Sequence, residues 1–306
     1  MFWDVRIVSS ERFSLLMENG KLERTSATTY NSMLCRAFEK GRWGYKMVEI
    51  PPGEDVESLM KKPIHDAEQM AIASASISPK EVPELPPVKP ESKTMKPSVD
   101  PRDVDETDKV MLLKDVHDLL QQKGIVNTRI SYSEQWLRTE YISEDAHAYM
   151  EIPRVSLQMM CVAKEGDVMQ MAKDSRAEVG GYELIDGWDV EELSEKTGKR
   201  AIELLGAKSA PGGYKRVVLD PELAGVFVHE AIGHALEADA VLEGSSCLAG
   251  TLNTSIASDC VSIVDDPLTK GYGTYFFDDE GTPAKRTVLI EDGIHTNYMH
   301  SRETAA

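Results

Sequence analysis

Val5-Arg6-Ile7-Val8 and Arg12-Phe13-Ser14-Leu15-Leu16 alternate apolar and polar side chains, and Glu18-Asn19-Gly20-Lys21 follows them with a turn. Alternation with a period of two sends one set of side chains to a core and the other to water, the mark of a half-buried strand. Asn-Gly accepts the positive φ that a tight hairpin needs, so the chain doubles back antiparallel. Thr25 to Ala37 and Gly44 to Val48 continue the pattern. Ser58 to Ser76 then reads as a helix with Ile64, Met70 and Ile72 on its apolar positions. Strands first and a helix after is the order of an α+β fold.

Between Pro79 and Pro101 stand seven prolines interspersed with Lys and Glu, a composition that favours extended chain and builds no core. It predicts a linker or surface strap over 79–106. From Thr107 an amphipathic helix carries Val110, Leu112, Leu113, Val116, Leu119 and Leu120 and stops at Gly124. Strand-like runs follow at Ile125 to Trp136, Arg138 to Ile142, Ala146 to Ile152 and Val155 to Ala163. Gly180-Gly181-Tyr182 makes a break, and Val190 to Leu205 forms a helix ending at Gly206. Two sheet-plus-helix units thus flank the strap within an expected N-terminal domain, 1–208. Beyond Ser209-Ala210-Pro211-Gly212-Gly213 a short strand is expected at Tyr214 to Leu219. Asp220-Pro221 then starts a helix running to about Ala240, with a capping side chain before proline at the first helical position. Val261 to Val264, Thr274 to Phe277 and Thr287 to Glu291 look like strands. The fold class is α+β: an N-terminal mixed domain of antiparallel sheets and helices, then the start of an antiparallel β-rich domain, 209–306, that the chain enters and does not complete.

The 306 residues suffice for a sizeable core. The formal net charge of −18, from 52 acidic and 34 basic residues, removes the driving term for a phosphate backbone. Nucleic acid is therefore excluded as a partner, and a neutral or basic peptide suits the charge better. Cys35, Cys161, Cys247 and Cys260 are far apart and form no CxxC pair, which fits a reducing cytoplasm and no disulfide framework. No apolar stretch approaches the eighteen residues of a spanning helix, and the N-terminus does not read as a signal peptide, so no membrane partner is expected.

The chemistry concentrates on His229-Glu230-Ala231-Ile232-Gly233-His234. Two imidazoles can hold zinc, the metal acidifies a water, and a carboxylate takes the proton. The spacing departs from HExxH: at 100° per residue, positions five apart lie about 140° apart on an ideal helix, whereas positions four apart lie about 40° apart. One inserted residue, relaxed as a π-bulge, restores a common face, and Gly233 is the natural place for it. A helix irregularity is expected between Glu230 and His234. The flanking Gly225-Val226-Phe227-Val228 is strongly apolar, so burial of these polar groups would be costly unless they bind something.

Leu223 to Asp239 resembles, nearly residue for residue, the HExxxH helix of the TldD/PmbA metallopeptidase family. Glu243-Gly244-Ser245-Ser246, Ile263-Val264-Asp265-Asp266-Pro267, Gly271-Tyr272-Gly273, Phe276-Phe277-Asp278-Asp279-Glu280-Gly281-Thr282-Pro283-Ala284 and Ser301-Arg302-Glu303-Thr304-Ala305-Ala306 resemble that family's downstream segments. The resemblance is strong over Tyr214 to Ala306; earlier it rests on element order and on Glu18-Asn19-Gly20-Lys21. It implies a zinc peptidase acting on extended or unfolded peptides, with His229 and His234 as ligands and Glu230 as general base. It also implies a homodimer or a heterodimer with a paralogous, PmbA/TldE-like subunit. The third ligand it implies is a cysteine toward the C-terminus of a longer chain, past Ala306; Cys247 and Cys260 read as core positions instead. The alternative reading is a shortened, catalytically inactive relative acting as a structural or partner-binding subunit.

Glu237, three residues after His234, is placed to orient an imidazole. Asp278, Asp279 and Glu280 are candidate substrate contacts or supports of the site, although turn preference before Gly281 explains them equally. His295 and His300 are expected to be exposed, at a strand and its end. Trp43, Trp136 and Trp188 are expected in core or domain contacts.

Overall fold

The computed structural model of the chain describes residues 1–78 and 84–306; residues 79–83, where the expected strap begins, lie outside the described residues. Strands β1 (Phe2–Glu18), β2 (Lys21–Glu39) and β3 (Arg42–Glu49) form an antiparallel meander, followed by helix α1 (Val56–Ile77). The first turn is the expected one, with Asn19 and Gly20 at φ 49° and 75°. Where two strands were expected, β1 is a single one: Ser9, Ser10 and Glu11 interrupt the apolar pattern but are paired on both sides, by β2 and by β5 (Ile125–Ser143). A strand bonded along both edges needs no apolar run to persist.

Within the expected strap lies β4 (Lys93–Thr94), and after it come α2 (Glu106–Leu120), β5, β6 (His147–Glu165), β7 (Val168–Val179), α3 (Glu183–Gly187) and α4 (Val190–Leu205). The sheet order is β3-β2-β1-β5-β6, with β4 parallel to one end of β6 and β7 antiparallel along the rest. The four strands expected over 125–163 are two long ones. β7 went unread because most of its side chains are solvated, Met169 and Met171 being more than half exposed.

One sheet face carries the helices. Odd-numbered β1 residues Val5 and Ile7 pack with Met33, Cys35 and α1, while Leu15 and Met17 pack with Tyr132, Leu113, Leu120 and Leu193 beneath α2 and α4. The buried face of α1 is Ala67, Ala71 and Ala75; Ile64 is partly buried, but Met70 and Ile72 point outward, contrary to the sequence reading. The reason lies opposite: a Cβ on Gly44 would sit 2.0 Å from the Ala67 carbonyl oxygen, so this helix packs so close to β3 that only small residues fit between them. Lys109 is buried under α2 on the Glu134 carboxylate, 2.8 Å away.

The opposite face is polar at Asp4, Arg6 and Arg154 and is partly covered by the C-terminal region. There Tyr141, Ala148, Met150 and Ile152 pack against Phe277, with Val88 and Met95 of the strap at the margin. Arg36 donates to Asp4 at 2.6 and 2.8 Å and to Glu280 at 3.1 Å. The Arg302 guanidinium donates to the Pro86 carbonyl, and the Trp43 indole donates to Glu303 at 2.8 Å. Trp188 is buried as expected, whereas Trp136 is half-buried under the Arg102 guanidinium of the same N-terminal region, neither core nor domain contact.

Residues 207–223 are exposed, and Tyr214 to Leu219 form no strand, with no strand partner among the described residues. The helix begins as expected, with Asp220 accepting from the Leu223 amide at 2.8 Å and Pro221 following. Helix α5 (Pro221–Val228) gives way to a π turn (His229–Gly233) and a 3₁₀ turn (His234–Leu236). The path breaks at Glu237, ψ 120°, before α6 (Ala238–Leu242), so it is not one helix to Ala240. Strands β8 (Ile263–Asp265), β9 (Thr287–Glu291) and β10 (Ile294–His295) form a small antiparallel sheet, and α7 (Arg302–Ala305) ends the chain. Thr274 to Phe277 is no strand; Phe277 makes one isolated bridge, to Pro283.

Candidate metal centre

The π turn is closed by a hydrogen bond from the His234 amide to the His229 carbonyl, five residues apart. That extra residue turns the splayed spacing into a common face: the two imidazole rings are 4.6 Å apart between centroids, at 72°. Gly233 is not required by space or backbone, since its φ is −53° and an added Cβ would meet nothing nearer than 3.8 Å. His229, Glu230 and His234 each offer a ligand atom, all within 4.8 Å of one another. Among the described residues this is the only group of three or more His, Cys, Asp or Glu gathered so closely.

Glu237 Oε1 lies 3.0 Å from His234 Nδ1. An ionised carboxylate only accepts, so Nδ1 carries the proton and the Nε2 lone pair is left free for a ligand. His234 Nε2 lies 3.9 Å from Glu230 Oε2. This donor set fits a metal: bonds of about 2.1 Å in a tetrahedral set place donor atoms roughly 3.4 Å apart, and the ligand atoms of the two exposed histidines lie within 4.8 Å of each other. The turn is anchored behind the site, where the Met299 amide donates to the Leu236 carbonyl at 2.8 Å and the Ala238 amide to the Met299 carbonyl at 2.9 Å.

Burial differs from the sequence reading. His229, Glu230 and His234 are exposed, and so are Leu223, Val226 and Phe227, at 54%, 55% and 58%. The polar cluster is therefore not desolvated by its apolar flank. Cys247 and Cys260 are exposed rather than core, and neither joins the cluster; Cys35 and Cys161 are the buried pair. His295 is wholly buried, not exposed, with Thr251 Oγ1 at 2.8 Å from Nδ1 and the Asn297 carbonyl at 3.1 Å from Nε2. His300 is exposed as expected and meets Thr304 at 3.2 Å.

Asp278, Asp279 and Glu280 line a cleft of 600 Å³ between the polar sheet face and the C-terminal region, and Glu237 and Asp239 line it too. Their carboxylates are engaged within the chain. Asp278 accepts from the Glu280 and Thr282 amides at 2.9 and 2.8 Å, while burial pushes its carboxyl above the usual range. Asp279 pairs with Arg6, and Glu280 holds Arg36 and the Arg302 amide. The arginines completing this arrangement, Arg6, Arg36, Arg154 and Arg302, were missed in the sequence. Only the apolar alternation broken by charge at Asp4, Arg6 and Arg154 hinted at a second covered face.

A two-sided antiparallel sheet with an HExxxH helix held near its polar face defines the class of protein. Models of PmbA/TldA metallopeptidase domain 1, central domain and C-terminal domain match residues 3–62, 99–205 and 211–306. The chain belongs to the PmbA/TldD metallopeptidase family. It is 36% identical over 306 residues to a protein of Methanothermobacter thermautotrophicus named metalloprotease, and 37% identical to one of Methanocaldococcus jannaschii. In both, 99% of this chain is matched, to 65% and 66% of the relative, so the chain spans about two thirds of their length. A zinc metalloprotease TldD homolog of Saccharolobus solfataricus is 31% identical over 202 residues, 63% of this chain and 45% of that one. The fold is that of TldE from Thermococcus kodakarensis, with TM-score 0.76 and 18% identity over 99% of this chain and 67% of that one.

Proposed function

We propose that the chain carries the histidine pair and the base of a zinc-dependent peptidase site that hydrolyses extended or unfolded peptides. The carrying observation is the π turn, which gathers His229, Glu230 and His234 within 4.8 Å while Glu237 holds His234 Nδ1. His229 and His234 would hold zinc, and the third protein ligand, on the family pattern, is a cysteine outside the residues of this chain. Zinc supplies Lewis-acid polarisation of water and of the scissile carbonyl. Glu230 takes the proton from the attacking water and returns it to the leaving amine. Glu237 keeps His234 in one tautomer and one orientation. The peptide adds as a strand to an exposed sheet edge, which suits unfolded chains. The working assembly in this reading is a cytoplasmic dimer, with a second copy or a TldE-like paralogue, and the division between its N-terminal and metal-bearing domains falls near residue 208.

The test is Glu230→Gln in the presence of zinc, with an unstructured peptide and mass spectrometry of the products. Hydrolysis is expected to fall by about 10²- to 10⁴-fold, the usual worth of a general base, with zinc still bound. Unchanged hydrolysis in the variant would overturn the role of Glu230.

A further inference from the structure

Among the described residues, three buried side-chain polar atoms have no hydrogen-bond partner: Arg6 Nε, Arg154 Nη1 and Thr274 Oγ1. Arg6 and Arg154 line the 600 Å³ cleft, as do Gly273 and Tyr275 on either side of Thr274. Buried polar groups are satisfied in the great majority of cases, so unpartnered ones along one cleft call for an explanation.

Arg154 and Thr274 form a pair. Arg154 Nε donates to the Tyr272 carbonyl at 2.9 Å and Nη2 to the Thr274 carbonyl at 3.0 Å, while Nη1 of that guanidinium and the hydroxyl of that threonine are both left unpartnered. Arg36, Arg102 and Arg138 each sit on a carboxylate, whereas Arg154 has none within 4.0 Å among the described residues. Burial lowers its pKa from the usual arginine value, the direction expected of a cation denied both water and counter-ion. Arg6 is a separate matter. It stands opposite Tyr141 in the register and Arg154 opposite Gln135, six residues or roughly 20 Å along the strand, and Arg6 already holds Asp279.

We propose that Arg154 Nη1 and Thr274 Oγ1 receive a carboxylate, the C-terminal carboxylate of a peptide lying in the cleft. Two donors, one of them cationic, match the two oxygens of a carboxylate. The segment carrying Thr274 crosses the sheet here: Gly271 bridges to Glu178 on β7, and Arg154 clamps the carbonyls of Tyr272 and Thr274. That crossing is a wall, which suits the end of a chain rather than one running through. The acidic side chains along the cleft, each engaged elsewhere, repel additional negative charge and so favour a monoanion over phosphate. Glu237, which holds His234, lines the same cleft, so the inference deepens the peptidase reading and rests on it for the identity of the carboxylate's bearer.

The experiment is calorimetric titration of the metal-free full chain with N-acetyl-trialanine acid, its C-terminal amide, an acetylated amide ending in Glu, and inorganic phosphate. Omitting metal keeps the outcome independent of zinc binding and hydrolysis. The free acid is expected to bind at least about tenfold tighter than the amide, the usual worth of a charge-assisted pair. Arg154→Met is expected to erase that preference, since it removes the cationic donor. Should Arg154→Met fail to fold, Thr274→Val leaves the arginine's carbonyl bonds in place and is expected to lower the preference several-fold. Equal binding of acid and amide, or a preference that survives these substitutions, would overturn the proposal. So would phosphate binding tighter than the free acid, or the Glu-terminated amide binding as well as the free acid.

Discussion

At the scale of single residues, the site depends on which nitrogen of His234 is free. The 3.0 Å contact with Glu237 commits Nδ1 as the donor and presents Nε2 to a ligand. Glu237→Gln keeps size and hydrogen bonding but removes the charge that makes the imidazole a better ligand. Zinc affinity, measured by competition with a chromogenic chelator, is expected to fall about 10- to 100-fold, with the fold intact by circular dichroism. Affinity equal to that of the parent chain would show that Glu237 does not tune His234. The irregular turn was legible because a five-residue spacing on one face admits few backbone solutions. The contact of Glu237 with His234 was legible for a similar reason, since three residues on a helix leave two side chains adjacent. Exposure was not legible: the apolar character of Leu223, Val226 and Phe227 says what they could bury, not whether a neighbour covers them.

At the scale of elements, the strap is held by side chains that composition does not reveal. Glu183, opening α3, accepts from the Val99 amide at 2.9 Å and from the Gly181 amide at 3.1 Å. Gly181 has no room for a side chain, because a Cβ would meet the Val99 carbonyl oxygen at 2.1 Å. Burial raises the Glu183 carboxyl pKa and the donated amides lower it by more, so the folded value lies below the usual glutamate range. A depressed folded pKa stabilises above the unfolded value, near 4.3, and that contribution is lost as pH falls through the folded value. Glu183→Gln is therefore expected to cost about 1 kcal/mol at neutral pH, and the difference from the parent chain should shrink below about pH 4. Urea melts at pH 7 and pH 3.5 check this, and a gap as large at pH 3.5 as at pH 7 would refute it. The alternating pattern revealed the antiparallel strands but not their lengths, because Ser9 to Glu11 break the pattern without breaking the pairing. The solvated β7 escaped the sequence reading and Tyr214 to Leu219 was misread for opposite reasons: one has a strand partner while half its residues, Val168, Met169 and Met171 among them, face water, the other has apolar residues without a strand partner among the described residues.

At the scale of the whole molecule, the sheet works on both faces. Helices cover one, and the segment around Phe277, with the strap, covers part of the other, fastened by Asp4, Arg36, Glu280 and Arg302. Arg36→Met leaves Asp4, 1% exposed, without its cation and is expected to cost about 3–5 kcal/mol. Hydrogen exchange should then rise over residues 276–284 and 300–305; exchange unchanged there would mean that the ionic cluster does not fasten these parts together. The sheet-and-helix order was legible at this scale, but the cleft between sheet and C-terminal region was not, because its walls come from residues more than a hundred positions apart. The most direct test of the central claim is zinc content by elemental analysis after chelator washing and zinc reloading, comparing the chain with its His229→Ala variant. Zinc approaching one per chain, and lost in the variant, is the expected result; zinc equally retained in the variant would contradict the assignment of the π turn as a metal centre.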